Sequence, residues 1–157
     1  MIHLWYNNGV NDSQKVEYLS KDTAFGILTR PALELAMSEA KGAHILYIID
    51  FDDIHKLNMQ LGYNKVNETI RESIGDLIVI FGGLIIGRVF SGDEIAILDY
   101  YNHANLIESY AEICVKYELG FRWADSNINL GRPPSYHAGH LNALSKKLQS
   151  SKFAKML

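Results

Sequence analysis

Along this chain, unbroken apolar runs alternate with apolar residues spaced three and four apart, and the alternation predicts strands and helices in turn. Residues 43–49 form a continuous apolar run, the pattern of a buried central strand. Residues 84–90 and 95–98 are two more runs, joined as a hairpin by Ser91-Gly92-Asp93-Glu94. Residues 121–124 predict another strand, as do residues 2–6, which close at the turn signal Asn7-Asn8-Gly9. Over 66–80, Val66, Ile70, Ile74, Leu77 and Ile78 recur at helical intervals until Phe81-Gly82-Gly83 breaks the stretch. Helices are also predicted from Asp12 or Ser13 to Leu19, and from Arg30 to about Ala40 with Thr29 as N-cap and Pro31 in the first turn. Another runs from Asp53 to Leu61 and stops at Gly62; a further one runs from Asn102 or Asn105 to Gly120. Residues 127–134, with Gly131 and a proline pair, read as a loop, and 136–155 as a final helix with Leu141, Leu144 and Leu148 as its stripe. The order of elements predicts an α/β or α+β sandwich with helices on both faces of the sheet.

Composition narrows the function without naming it. At 157 residues, 48% hydrophobic and 21% charged, the chain has the makings of a single globular domain and not of a disordered segment. A formal net charge of −3 argues against coating a nucleic-acid polymer, which calls for a basic face, although Lys146, Lys147, Lys152 and Lys155 gather positive charge near the end. Cys114 is alone, so no internal disulfide or cysteine zinc cluster is possible, and its place beside Ile107, Tyr110, Ala111 and Val115 predicts a buried thiol. The N-terminus lacks a signal-peptide pattern, and no stretch reaches the roughly eighteen apolar residues of a membrane span. A soluble, cytoplasmic protein without a membrane partner is expected. His137 and His140 read as surface residues, and Trp5, Tyr6 and Trp123 as core or dimer contacts.

Two acidic turns carry the chemistry. Asp50-Phe51-Asp52-Asp53 follows the run at 43–49, and Ser91-Gly92-Asp93-Glu94-Ile95 stands between two predicted strands. Both turns place carboxylates at strand ends, where they can converge on one hard cation. Carboxylate-held Mg²⁺ is what phosphoryl and nucleotidyl transfer require. The plainer alternative is a set of surface carboxylates in helix-capping turns.

Three segments, in order over about residues 20–100, resemble the GGDEF family of diguanylate cyclase domains. Asp22-Thr23-Ala24-Phe25-Gly26-Ile27-Leu28-Thr29-Arg30 keeps the Asp, Gly and Arg of the family's opening segment. Asp50-Phe51-Asp52-Asp53-Ile54-His55-Lys56-Leu57-Asn58 matches its second segment, and Ser91-Gly92-Asp93-Glu94-Ile95 is a conservative variant of its signature. The resemblance implies a single nucleotide-cyclase-like palm domain over 1–157, with a mostly antiparallel sheet of about five strands. Within it, 1–20 is an extension, 21–100 the best-matching part and 101–157 a divergent C-terminal part.

The resemblance also implies roles. Asp50 and the backbone carbonyl of Phe51 would be metal ligands, and Asp93 would bind Mg²⁺ (or Mn²⁺) and help deprotonate an attacking 3′-hydroxyl, with Glu94 as its partner. Asn58 would contact the base. The backbone amides of Asp53, Ile54 and His55 would hold phosphate oxygens, a geometry that helix N-termini favour in any protein. Lys147 or a neighbouring lysine would meet the terminal phosphates as a point charge. The implied reaction is attack of one nucleotide's 3′-oxygen on another's α-phosphorus with loss of pyrophosphate. GTP is the default substrate, and a homodimer, at least a transient one, is needed because each domain holds one nucleotide.

The departures from the family cluster in the part that would hold the base and phosphates. His55 replaces a lysine and is mostly uncharged near neutral pH. Asn67 replaces the aspartate that reads guanine; an amide offers donors as well as an acceptor, which suits adenine's Watson–Crick edge. The alternative is that Asn67 caps the following helix and touches no ligand. The Arg-x-x-Asp of the product-inhibition site is absent, its positions being Gly82-Gly83-Leu84-Ile85, and Arg88 has no assigned role. An adenine-containing dinucleotide synthase, similar to minimal CRISPR-polymerase-like relatives, and a degenerate nucleotide- or partner-binding module therefore stand beside the diguanylate cyclase reading.

Overall fold

The computed structural model describes residues 21–89 and 93–156. The strand expected at 2–6, its turn, the helix expected before Leu19, Trp5, Tyr6, and Ser91-Gly92 of the signature lie outside the described residues. Helix α1 (Arg30–Glu39) opens after Thr29, whose backbone is extended, with proline in its first turn as expected. Strand β1 (Gly42–Phe51) follows, then α2 (Ile54–Leu61) and α3 (Tyr63–Ile80). The hairpin of β2 (Leu84–Arg88) and β3 (Glu94–Asp99) leads to α4 (Leu106–Lys116), β4 (Phe121–Leu130) and α5 (Pro134–Met156).

The strands form one antiparallel sheet in the order β2-β3-β1-β4. The succession β1-helices-β2-β3-helix-β4 in that order is the βαββαβ arrangement of ferredoxin-like, palm-type sheets. Four strands are found among the described residues, against about five expected.

Period-two alternation along β1 divides the core. Tyr47, Ile49 and Phe51 pack with Ile70, Ile74 and Leu77 of α3 and Leu106, Tyr110 and Cys114 of α4 on one face. Leu46 and Ile48 pack with Leu33 and Met37 of α1 and Leu141, Leu144 and Leu148 of α5 on the other. Even-numbered residues of β1 and β3 therefore face α1 and α5, and this parity decides where the acidic side chains go. Helix α1 lies so close to β2 that a Cβ on Gly87 would stand 2.8 Å from Leu33 Cβ, so only glycine fits there.

Several boundaries differ from expectation for physical reasons. Asp50 and Phe51 belong to β1, not to the turn after it, because the β1–β4 ladder continues to Phe51↔Phe121. Glu94 likewise starts β3. Helix α3 begins at Tyr63, immediately after Gly62, whose positive φ of 87° lets the chain turn from α2 into α3. Asn67 therefore lies in the second turn of α3, and the alternative that it caps this helix is overturned. The loop expected at 127–134 is mostly strand: β4 reaches Leu130, with Ile128 and Leu130 buried and Asp125, Asn127 and Asn129 exposed on the other face. Trp123 shares that face and is 45% exposed, so it is not a core residue.

Candidate functional site

The sheet's register joins the two acidic segments. Asp50, near the end of β1, stands opposite Glu94, the first residue of β3. One residue on, the Phe51 N–H donates to the Asp93 carbonyl at 3.4 Å and extends the pairing into the signature turn. Asp50 and Glu94 share the even-numbered face with Leu46, Ile48, Ala96 and Leu98, so both carboxylates point toward α5.

Helix α5 meets that pair with neutral donors one turn apart. Ser145 Oγ donates to Glu94 Oε1 at 2.7 Å, and Gln149 Nε2 donates to Asp50 Oδ2 at 3.3 Å. Both residues flank the buried stripe of Leu141, Leu144 and Leu148, so the packing that seats the helix also aims them. Asp50 is only 6% exposed. Neither donor was singled out in the sequence, although positions 145 and 149 extend the apolar face by one residue and carry its polar members.

Strand β4 adds a cation. Arg122 is the register partner of Asp50 on the other side of β1. Its Nε lies 3.5 Å from Asp52 Oδ1, and Asp52 is anchored by its own N–H to the Gly120 carbonyl at 2.8 Å. Nothing in the local sequence marks Arg122; only the ladder brings it to the acidic end.

The residues expected to hold phosphate and base lie on α2 and α3. Asp53 precedes α2 in the left-handed region, at φ 55°, a conformation that aspartate tolerates better than most side chains. Its side chain does not cap α2, which leaves the amides of the first turn to other acceptors. Ile54 is buried and anchors this turn, while His55 and Lys56 are exposed. Asn58 is half-buried, and its Oδ1 is buried with no hydrogen-bond partner among the described residues. A buried acceptor without a donor is costly, so this atom is suited to receive an N–H from a ligand. Asn67 is half-buried. Lys147 is exposed and, at about 100° per residue, lies about 160° around α5 from Gln149, away from the acidic pair. An open depression lined by Leu61, Gly62, Tyr63, Asn64, Lys65 and Glu68 sits at the α2–α3 corner and includes neither Asn58 nor Asn67 nor the carboxylates at the end of the sheet.

The opening segment proves architectural. Asp22 accepts from the amides of Ala24 and Phe25 and from Arg88 Nη1 at 3.1 Å, while the Arg88 guanidinium lies 4.2 Å from the Phe25 ring centroid. Arg30 donates to the carbonyls of Val89 and Ala138 and, at 2.6 Å, to Asn142 Oδ1, tying β2 to α5. Arg88, left without a role in the sequence, thus holds the 22–28 turn against the sheet. The surface reading of the two histidines is overturned: His137 is fully buried, and half-buried His140 bonds Ser126 Oγ at 2.6 Å.

Among the described residues, no group of three or more His, Cys, Asp and Glu side chains gathers to hold a metal ion. The expected set is smaller in side chains, two carboxylates with a backbone carbonyl. No helix of the described residues is long and apolar enough to cross a membrane.

The fold is that of GGDEF domains. A microbial GGDEF domain, described for its interaction with cyclic di-GMP, matches with a TM-score of 0.67 and 17% identity over 86% of this chain and 93% of its own. The coiled coil and GGDEF domain of DgcB from Caulobacter crescentus, in complex with c-di-GMP, matches with a TM-score of 0.61 and 15% identity over 91% and 83%. The diguanylate cyclase SiaD from Pseudomonas aeruginosa, in complex with its activator SiaC, matches at 0.64 and 14% over 89% and 62%. No family model matches the sequence, and no curated protein does. The likeness is one of fold.

Proposed function

We propose that this chain is a GGDEF-type nucleotidyltransferase that joins two purine nucleoside triphosphates into a cyclic dinucleotide, with GTP as the default substrate. The observation that carries the reading is the register of β1 against β3. On a GGDEF-like fold, it brings Asp50, Phe51, Asp93 and Glu94 to one end of the sheet. Their carboxylate and carbonyl oxygens are hard donors, the chemistry that suits Mg²⁺ or Mn²⁺. Asp50 is 6% exposed and stands opposite Glu94 at this end of the sheet.

In this reading Asp50, the Phe51 carbonyl and Asp93 hold the metal ion, which when bound supplies charge neutralisation on the phosphates and a lowered hydroxyl pKa. Asp93 receives the 3′-hydroxyl proton, and Glu94, held by Ser145, lies beside it. The amides of Asp53, Ile54 and His55 hold phosphate oxygens at the start of α2. Asn58 Oδ1 accepts from the base. Attack on the α-phosphorus of a second nucleotide, carried by a facing copy of the chain, expels pyrophosphate. The protein's main contribution is positioning. A cytoplasmic location, where purine triphosphates are available, accords with this chemistry.

One observation favours an adenine substrate. Asn67 sits half-buried within α3 and does not cap it, and an amide can satisfy adenine's adjacent donor and acceptor. The test of both readings is incubation of the purified protein with each nucleoside triphosphate and Mg²⁺ or Mn²⁺, followed by mass analysis. A cyclic dinucleotide supports catalysis and its mass identifies the base. Nucleotide binding without any dinucleotide or pyrophosphate leaves a binding module.

A further inference from the structure

Arg122 carries a charge that the acidic end of the sheet does not fully use. Its Nε–H is buried and finds no hydrogen-bond partner among the described residues; Asp52 Oδ1, 3.5 Å away, is at ion-pair distance but beyond a good hydrogen bond. Buried donors are rarely left unsatisfied, and a charged one least of all. The pair is also replaceable, since the Asp52 side chain is 40% exposed and that of Arg122 27% exposed. The register places Arg122 directly beside Asp50, on the strand opposite Glu94. An anionic group brought to Asp50 would therefore arrive beside a strand residue whose backbone is held by the β1–β4 ladder and whose guanidinium can turn to meet it.

We propose that Arg122 is a substrate-binding residue that exchanges its loose contact with Asp52 for the polyphosphate of the bound nucleotide. The inference rests on the nucleotide reading given above and adds a residue to it. A nucleoside triphosphate brings several negative charges to an end of the sheet that already carries Asp50, Asp52, Asp53, Asp93 and Glu94. A divalent cation offsets part of this charge, and a guanidinium beside Asp50 offsets more in a partly desolvated position. Its planar fork also matches phosphate oxygens in pairs, which an ammonium cannot do. The site thereby selects polyphosphates over monophosphates through a strand residue, independently of the base.

The test measures binding of guanosine and adenosine tri-, di- and monophosphates, with Mg²⁺, by isothermal titration calorimetry. It compares the wild type, Arg122→Gln, Arg122→Lys and Asp52→Asn, each checked for a native circular dichroism spectrum. Arg122→Gln is expected to weaken triphosphate binding about tenfold to a hundredfold while changing monophosphate binding less than about threefold. Arg122→Lys keeps the charge and loses the fork, so it should fall between. Asp52→Asn frees the guanidinium and is expected to leave triphosphate binding equal or tighter. Equal losses in Arg122→Gln and Asp52→Asn would mean that the ion pair is merely structural, and an unchanged or phosphate-independent affinity in Arg122→Gln would likewise overturn the proposal. If the wild type binds none of the nucleotides, the nucleotide reading itself fails and this inference with it.

Discussion

Asp50 and Glu94 face each other across the β1–β3 ladder, and a single turn of α5 reaches both, through Gln149 and Ser145. Carboxylates directly opposite in an antiparallel pair repel, by roughly 0.2–1 kcal/mol at ordinary sites. Helix α5 reaches the pair with two neutral donors, Ser145 and Gln149. A divalent cation at this end of the sheet would relieve the repulsion between the two carboxylates.

Removing one charge should therefore separate stability from binding. Asp50→Asn keeps an acceptor for Gln149 and is expected to raise stability by up to about 1 kcal/mol in metal-free buffer. The same variant is expected to lose the rise in melting temperature that Mg²⁺ or Mn²⁺ produces in the wild type. Thermal melts with and without the cation, in parallel with a chelator control, check both halves. A variant that responds to the cation as the wild type does would remove Asp50 from the metal site.

Base choice should turn on residue 67. Restoring a carboxylate with Asn67→Asp offers acceptors only, which suits guanine's two donors. The variant is expected to shift the GTP-to-ATP preference toward GTP by about tenfold or more, as befits a polar mismatch on the order of 1–3 kcal/mol. Turnover or binding of the two nucleotides, measured side by side, is the readout; an unchanged ratio would take Asn67 out of the base site.

The buried histidine near the start of α5 should make stability depend on pH. Burial, reinforced by the nearby His140, holds the His137 imidazole below its ordinary value. The unfolded chain then binds more protons than the folded one as pH falls below about 6.5, so stability is full above that value and declines toward the lower folded pKa. The decline is at most about 1.4 kcal/mol per pH unit for each such histidine. Urea denaturation between pH 7.5 and pH 5 should show it, and His137→Leu should flatten the profile. A flat wild-type profile would contradict the assignment.

The thiol of Cys114 should be inert in the folded protein. The residue is 1% exposed, and burial pushes its thiol up to about 11. Little thiolate exists at pH 8, and reagents cannot reach it. Alkylation with iodoacetamide should be negligible in native buffer and complete in denaturant; fast labelling of the native protein would show that this face of α4 opens.

Much of this architecture was legible in the order of residues. The apolar run at 43–49 became strand β1, buried from Leu46 onward. The stripes at Val66, Ile70, Ile74 and Leu77 and at Leu141, Leu144 and Leu148 became the buried sides of α3 and α5, whereas Ile78, expected in the first stripe, is exposed. Strand β4 was only half visible. Asn127, Asn129 and the following Gly131 resemble a loop, yet the asparagines alternate with Ile128 and Leu130, and the polar half of the alternation is the exposed half.

The site divided in the same way. Asp50, Asp93 and Glu94 stood out because carboxylates following apolar runs are a local signal. Arg122, Ser145 and Gln149 gave none, because each is brought there by long-range contacts: Arg122 through the β1–β4 ladder, and the other two through the docking of α5 on the even-numbered face. The burial of His137 has no local signal for a related reason, since it follows from how α5 packs and not from its immediate neighbours in sequence.

The measurement that bears most directly on the central claim is pyrophosphate release from GTP with Mg²⁺, followed together with the mass of the nucleotide product, in the wild type and in Asp93→Asn. The account predicts that the wild type releases pyrophosphate in step with a cyclic dinucleotide, two for each product molecule. It also predicts that Asp93→Asn slows this by at least about a hundredfold, the loss expected when a metal-binding, proton-accepting carboxylate is neutralised. Equal rates in the two proteins, or no product from the wild type with GTP or ATP and either cation, would contradict it.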